Sequence, residues 1–237
     1  VARELQRRGH EAVTWGPEQP VPLGGFDLGI IANAKDTKRA FDLCKTTINV
    51  SHGIIDAEKP TGDVVVCTSE EIRTHWGVEA KIIRQPIDLT FWHPMNKGAE
   101  YLTRFSYRGG LGFVARIAEE LGLKSYHLRN SSEEVVRNVL HRSACVLATG
   151  RAALEAMACN VPVVICDHRS AYQPPLMHLN IKHAMVRNYS GRGGITPNHA
   201  TVKRAVEEAM QHKGNRFHVE KFHDVRDIVD ELLELVI

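Results

Sequence analysis

The residues with the most chemical potential in this chain are Glu155, Arg151 and the Thr149-Gly150 pair, inside the stretch ACVLATGRAALEAMACNVPVVICD at residues 144–167. Residues 144–148 are a short apolar run suited to a strand of a parallel sheet, and Thr149-Gly150-Arg151 turns the chain into a helix that includes Ala152 and carries Glu155. The next buried strand covers residues 161–166. A strand, a glycine turn and a helix in that order aim unpaired backbone N–H groups and the positive end of the helix dipole at one spot beyond the carboxyl edge of the sheet. Phosphate oxygens fit there. Glu155, one turn into the helix, can accept hydrogen bonds from vicinal hydroxyls, as an acid beside a diphosphate selects a ribose. Read alone, the unit is equally well an ordinary α/β crossover with a capped helix.

Other side chains have a place in such chemistry. His52 follows an apolar strand and precedes Gly53, which puts an imidazole of near-neutral pKa at the carboxyl edge of an earlier sheet. Its alternative is a loop or helix-capping histidine. Arg104 and Arg108-Gly109 surround the turn after another strand and offer two cations to an anion, or else form a solvated loop. Asn188, Ser190 and Arg192 belong to a second glycine-rich loop, NYSGRGG, which either closes over a cleft or is a flexible surface connection. Tyr172 and Pro174-Pro175 lie on the loop after Asp167. Ser69 and Glu70 suit a helix cap better than a substrate contact.

The elements that must position these groups alternate along the chain. Residues 1–8 read as a helix closed by Gly9, residues 11–15 as a short strand, 26–32 as a strand, 36–45 as a helix and 47–50 as a strand. Residues 63–67 form a further strand, Thr68 with Glu71 makes a capping box for a helix through Trp76, and residues 80–84 return as a strand. Prolines and Gly98 interrupt the pattern over residues 85–98. The alternation resumes with a strand at 101–105, a helix at 111–121, a strand at 125–129 and a helix opened by Ser131 with Glu134. After the 144–166 unit, residues 183–186 read as a strand, 198–211 as a helix and 219–236 as one amphipathic helix. Such alternation predicts α/β structure with parallel sheets and helices on both faces. The expected division is 1–94, 95–215 and a C-terminal helix at 216–237.

Composition narrows the class. The chain has 237 residues and a formal charge of +2, without a run of like charge, so obligate nucleic-acid binding is not indicated. No stretch approaches the ~18 consecutive apolar residues of a membrane span, and no secretory leader is visible, which predicts a cytoplasmic protein. Five cysteines in odd number and without Cys-x-x-Cys spacing read as reduced core residues, and thirteen histidines show no paired ligand spacing. No Asp-x-Asp signature occurs, and no metal is expected. The chain opens at Val1, inside the first helical pattern and without an initiator Met, so the first sheet is expected to lack a preceding strand and glycine loop.

In order along nearly the whole chain, ARELQRRGHEAV, INVSHG, DVVVCTSEE, IIRQPIDLTFWHP, RFSYRGG and EAMACNVPVVICD resemble the glycosyltransferases of GT-B architecture, especially the retaining family-4 type. The resemblance implies two facing Rossmann-like domains, with residues 1–94 on the acceptor side, residues 95–215 binding a nucleotide-diphosphate sugar donor, and chemistry in the cleft between them. It implies that Arg104 and Arg108-Gly109 clamp the donor diphosphate without a metal cofactor, that Glu155 holds the ribose, and that His52 lies near the transferred sugar. The family's other glutamate would fall at Leu147, and the turn is shorter here, so Thr149, Gly150, Arg151 and Ala152 meet the donor differently. The acceptor and the oligomeric state stay open. Two rivals stand beside this expectation: a nucleotide-sugar epimerase and a non-catalytic nucleotide-sugar-binding module.

Overall fold

Alternating buried strands and amphipathic helices build two parallel sheets of four strands each in the computed structural model of the chain. It describes residues 1–16, 19, 22, 24–32, 42–56, 59–95, 97–105, 112–166, 181–194, 196–212 and 214–236. The chain divides into two compact units, Val1–Pro86 with His223–Ile237, and Ile87–Phe222. The boundary expected after residue 94 therefore lies inside the second unit, and the C-terminal segment returns to the first. Among the described residues no helix is long and apolar enough to cross a membrane.

The first unit contains α1 (Ala2–Arg7), β1 (Phe26–Ala32), β2 (Cys44–Ser51), β3 (Val64–Cys67), α2 (Glu70–Trp76) and β4 (Lys81–Ile82), in sheet order β1-β2-β3-β4. The last five residues of β2 are all buried, as in a strand covered on both faces. Thr47 is tolerated there because its N–H and hydroxyl both donate to Asp63, at 2.9 and 2.7 Å. Ile48, Val66, Ile83, Ile228 and Leu232 form the core.

Three expectations for this unit are corrected. Residues 11–15 pair with no strand among the described residues; Ala12 instead gives its carbonyl to Gln6 Nε2 at 2.8 Å. Cys44 and Lys45 belong to β2, with Cys44 in register with Phe26, so no helix reaches them; residues 36–41 of the expected helix lie outside the described residues. The cap of α2 is Ser69, which accepts from Ile72 N, because the Thr68 hydroxyl already donates to the Ser51 carbonyl.

The second unit contains β5 (Tyr101–Phe105), α3 (Phe113–Glu120), β6 (Lys124–Leu128), α4 (Glu133–Leu140), β7 (Ser143–Ala148), α5 (Gly150–Ala158), β8 (Val163–Ile165), α6 (Ile181–Val186), α7 (His199–Met210) and α8 (Arg216–Phe222). Its sheet runs β6-β5-β7-β8. All six residues of β7 are buried. Val146 and Ala148 point into a core with Leu140, Leu154 and Met157, while Cys145 and Leu147 point into another with Ile117, Val202 and Val206. Burial pushes the Cys145 and Cys159 thiols up to about 12, and all five cysteines are free.

Corrections here have local causes. Residues 181–186 are a helix, not a strand, since Ile181, Ala184 and Met185 share the buried side at helical spacing while Lys182 and His183 are exposed. Helix α4 is capped by Ser132, not Ser131, whose hydroxyl donates to the Arg129 carbonyl. The single C-terminal helix is two. Helix α8 ends at Phe222, His223 Nδ1 bonds the Gln85 carbonyl at 2.9 Å, and Asp224 caps α9 (Val225–Leu233) by accepting from Arg226 N. Arg8 ties α1 to α9 through Asp230 and the Arg226 carbonyl.

His141, at the end of α4, is 4% exposed. Its Nε2–H donates to the His93 carbonyl at 2.8 Å, and its Nδ1 is buried with no hydrogen-bond partner among the described residues. Burial holds its pKa below the ordinary histidine value, the His93 bond opposes this, and the charges of Lys97, His93 and Arg137 lower it further. The folded state therefore favours the neutral ring, a contribution that is whole above pH ~6.5 and lost as pH falls toward the folded value. His141→Gln, which keeps an N–H donor and does not titrate, should lose less stability than the parent between about pH 7 and pH 5. Urea unfolding at both pH values checks this; identical losses would contradict it.

Candidate functional site

In an open parallel sheet, ligands bind outside the carboxyl ends of the strands, where the strand order reverses. The second sheet has such a point. From β5 the chain goes outward to β6, then returns to the other side of β5 as β7, so the reversal lies between β5 and β7. The first sheet runs in one direction through its four described strands. The turn after β7, which carries Thr149-Gly150, lies beside this reversal. Arg108 and Gly109 lie outside the described residues.

The turn after β7 is built for a close approach. Thr149 is the N-cap residue of α5 in extended conformation, and its side chain makes no capping bond. Gly150 has φ +57°, where a side chain would be strained although the space is open. Its N–H donates to the Tyr189 carbonyl at 2.8 Å. That bond brings the second glycine-rich loop against the start of α5.

Arg151 and Glu155 face each other one turn apart, Nε to Oε1 at 2.8 Å, with the arginine 50% and the carboxylate 12% exposed. Burial pushes the Glu155 carboxyl above the ordinary range; Arg151 pulls it down by charge and hydrogen bond, and Glu133 at the start of α4 pushes it up again. Ala152 packs beside the core that holds Leu154. A nearly buried carboxylate with a half-exposed cationic partner is suited to exchanging that partner for ligand hydroxyls.

The loop at residues 188–194 is internally bonded. Asn188 and Tyr189 are buried, Ser190 Oγ accepts from Arg192 N at 3.2 Å, and Arg187 Nη1 donates to the Arg192 carbonyl. Gly193 has φ +78°, a left-handed backbone in which a side chain would be strained. Arg104, next to last in β5, turns toward β6, where its Nη2–H donates to His127 Nδ1 at 3.4 Å. His52 belongs to the first unit, half-buried and one residue beyond β2, and the neighbouring Gly53 carbonyl accepts from Trp76 Nε1 at 3.0 Å. Glu70, the first residue of α2, is held in a two-point ion pair by Arg84, at 2.6 and 3.0 Å.

Thr149, Gly150, Arg151, Ala152, Glu155, Asn188, Ser190 and Arg192 are thus gathered at one end of the second sheet, with Arg104 one strand away. Tyr189 escaped sequence reading. Its role depends on a backbone conformation and on a partner far along the chain, neither of which leaves a periodic signal. Among the described residues, no three His, Cys, Asp or Glu side chains converge as a bound metal ion would require.

The raised Glu155 pKa has a consequence for stability. Stability gained from the protonated acid is whole below the unfolded value of ~4.3 and lost as pH rises through the folded value. Glu155→Gln is neutral at every pH, so it should raise Tm at pH 7, and the gain should vanish below about pH 4. Calorimetry at the two pH values checks this. A lower Tm for the variant at pH 7 would mean that the Arg151 pair outweighs burial.

No protein-family model matches the chain, and no curated protein matches it either.

Proposed function

We propose that this chain is a glycosyltransferase that takes a sugar from a nucleotide-diphosphate donor held in the second unit. The observation that carries the reading is Glu155, a 12% exposed carboxylate one turn into α5, beside a glycine turn at the point where strand order reverses. In this reading Glu155 leaves Arg151 to accept hydrogen bonds from the two ribose hydroxyls. The diphosphate meets Arg104, Arg108 and the backbone at Gly109, with Thr149, Gly150, Ala152, Asn188, Ser190 and Arg192 completing the surround.

The chemistry asked of such a site is specific. The bond between the sugar's anomeric carbon and the diphosphate oxygen breaks, an acceptor oxygen forms a new bond to that carbon, and the acceptor's proton passes to the departing diphosphate. Negative charge grows on the leaving diphosphate, where guanidinium groups stabilise it by charge-assisted hydrogen bonds. His52, from the first unit, is assigned to the sugar or acceptor. Two facing domains of GT-B type, transfer with retention and independence from metal belong to this reading.

One observation favours a second reading, a non-catalytic nucleotide-sugar-binding module. Leu147 is fully buried and packs into the core with Ile117 and Val206, at the position where the resembled family has a carboxylate near the sugar.

A panel of nucleoside diphosphates and their sugars tests the reading, since a ligand at ~100 times its Kd adds ~2.7 kcal/mol of apparent stability. Glu155→Gln should weaken the best binder by about 1–3 kcal/mol, while Arg104→Ala and Arg108→Ala should weaken the diphosphate more than the nucleoside. His52→Ala should lower transfer at least about tenfold with nucleotide affinity kept. Absence of any nucleotide-dependent stabilisation would overturn the proposal; binding without turnover would favour the module.

A further inference from the structure

Helix α6 is followed, after Arg187, by two consecutive left-handed residues, Asn188 at φ +52° and Tyr189 at φ +54°. Asparagine is an ordinary terminator in that conformation, whereas a bulky tyrosine avoids it and holds it only where the surroundings over-determine it. Those surroundings are visible. The Tyr189 N–H donates to the Ala184 carbonyl at 2.8 Å, and the Tyr189 carbonyl accepts from Gly150 N at 2.8 Å. The ring is 1% exposed, and its hydroxyl is hydrogen-bonded to His218 Nε2 at 2.7 Å. His218, on α8 and 2% exposed, meets the Tyr189 ring edge-on and packs beside Phe222.

We infer that Tyr189 and His218 are positioning residues of the site. Their hydrogen bond fixes the Tyr189 ring and with it the left-handed backbone, which points the carbonyl at the first N–H of α5. The glycine-rich loop bearing Ser190 and Arg192 is thereby held at one register against Thr149-Gly150-Arg151. Apolar filling alone would not need this pair. A phenylalanine at 189 and an apolar residue at 218 would occupy similar volume without two polar atoms in the core, which are costly to bury unless they meet. The pair adds direction, and direction matters where a backbone carbonyl has to be aimed. Only the functional consequence rests on the donor-site reading; the positioning itself does not.

Amide hydrogen exchange by NMR tests it on Tyr189→Phe, His218→Phe and His218→Gln. In the two phenylalanine variants, protection of the Gly150 amide should fall about tenfold or more, while the Val146 and Leu147 amides of β7 stay within about twofold. His218→Gln, which keeps a polar partner for the hydroxyl, should recover most of the loss. Unchanged Gly150 protection would overturn the inference. So would an equal loss at Gly150, Val146 and Leu147, or failure of the variants to fold, since the pair would then be ordinary core. As a functional arm, calorimetry with ADP, GDP and UDP should show affinity reduced about tenfold in the phenylalanine variants and retained in His218→Gln. If none of the three nucleotides binds the unmutated protein, the donor-site reading fails, and the Gly150 amide alone decides the role of the pair.

Discussion

Strand β7 has no exposed face. Its alternate side chains fill two separate cores, one with the residues of α4 and α5 and one with those of α3 and α7. A strand clamped in this way cannot slip, because a shift of one residue would exchange every side chain between the cores. The chain that leaves it must turn at a fixed height beyond the sheet edge. The place of Gly150, the direction of α5 and the depth of Glu155 all follow from that clamp. So does the identity of Leu147: an ionised carboxylate there would sit in an apolar core with Ile117 and Val206, at a cost of several kcal/mol.

The site combines features that stability alone would not select. Glu155 is an acid whose ionised form is disfavoured by burial and only partly restored by Arg151. Gly150 has a backbone that other residues adopt under strain, and Tyr189 adopts such a backbone without being glycine. Two unfavourable local choices, the buried Glu155 carboxylate and the left-handed Tyr189, thus flank the one turn that glycine makes permissible. Helix α7 shows the opposite case, with Asn198 and Thr201 capping each other reciprocally.

The sequence displayed the sheets more clearly than the connections. β1 and β5 were legible to the residue, since each is a mainly apolar run set off from its neighbours by breakers. Where a segment was short, periodicity failed: residues 181–186 carry too few turns to separate a helix from a strand, and residues 11–15 look extended but pair with no strand among the described residues. Caps shifted by one residue because serines and threonines compete for the same role, as Thr68 and Ser69 show. The break at His223-Asp224 was hidden by an apolar pattern that continues through it, and was decided by a bond to Gln85. In the site, Glu155 and the Gly150 turn could be read from local order, whereas the Tyr189 contacts are tertiary and had no sequence signal.

The central claim is that a nucleoside diphosphate binds where the strand order of the second sheet reverses, with Glu155 on its ribose. An amide NMR titration with ADP, GDP and UDP in turn tests it most directly, because it reports location as well as affinity. The account predicts that one of them moves the Gly150, Arg151 and Glu155 amides most, together with those of Ser190 and Arg192, and leaves β1 to β4 nearly still. Largest changes on the first sheet, or no saturable change with any of the three, would contradict it.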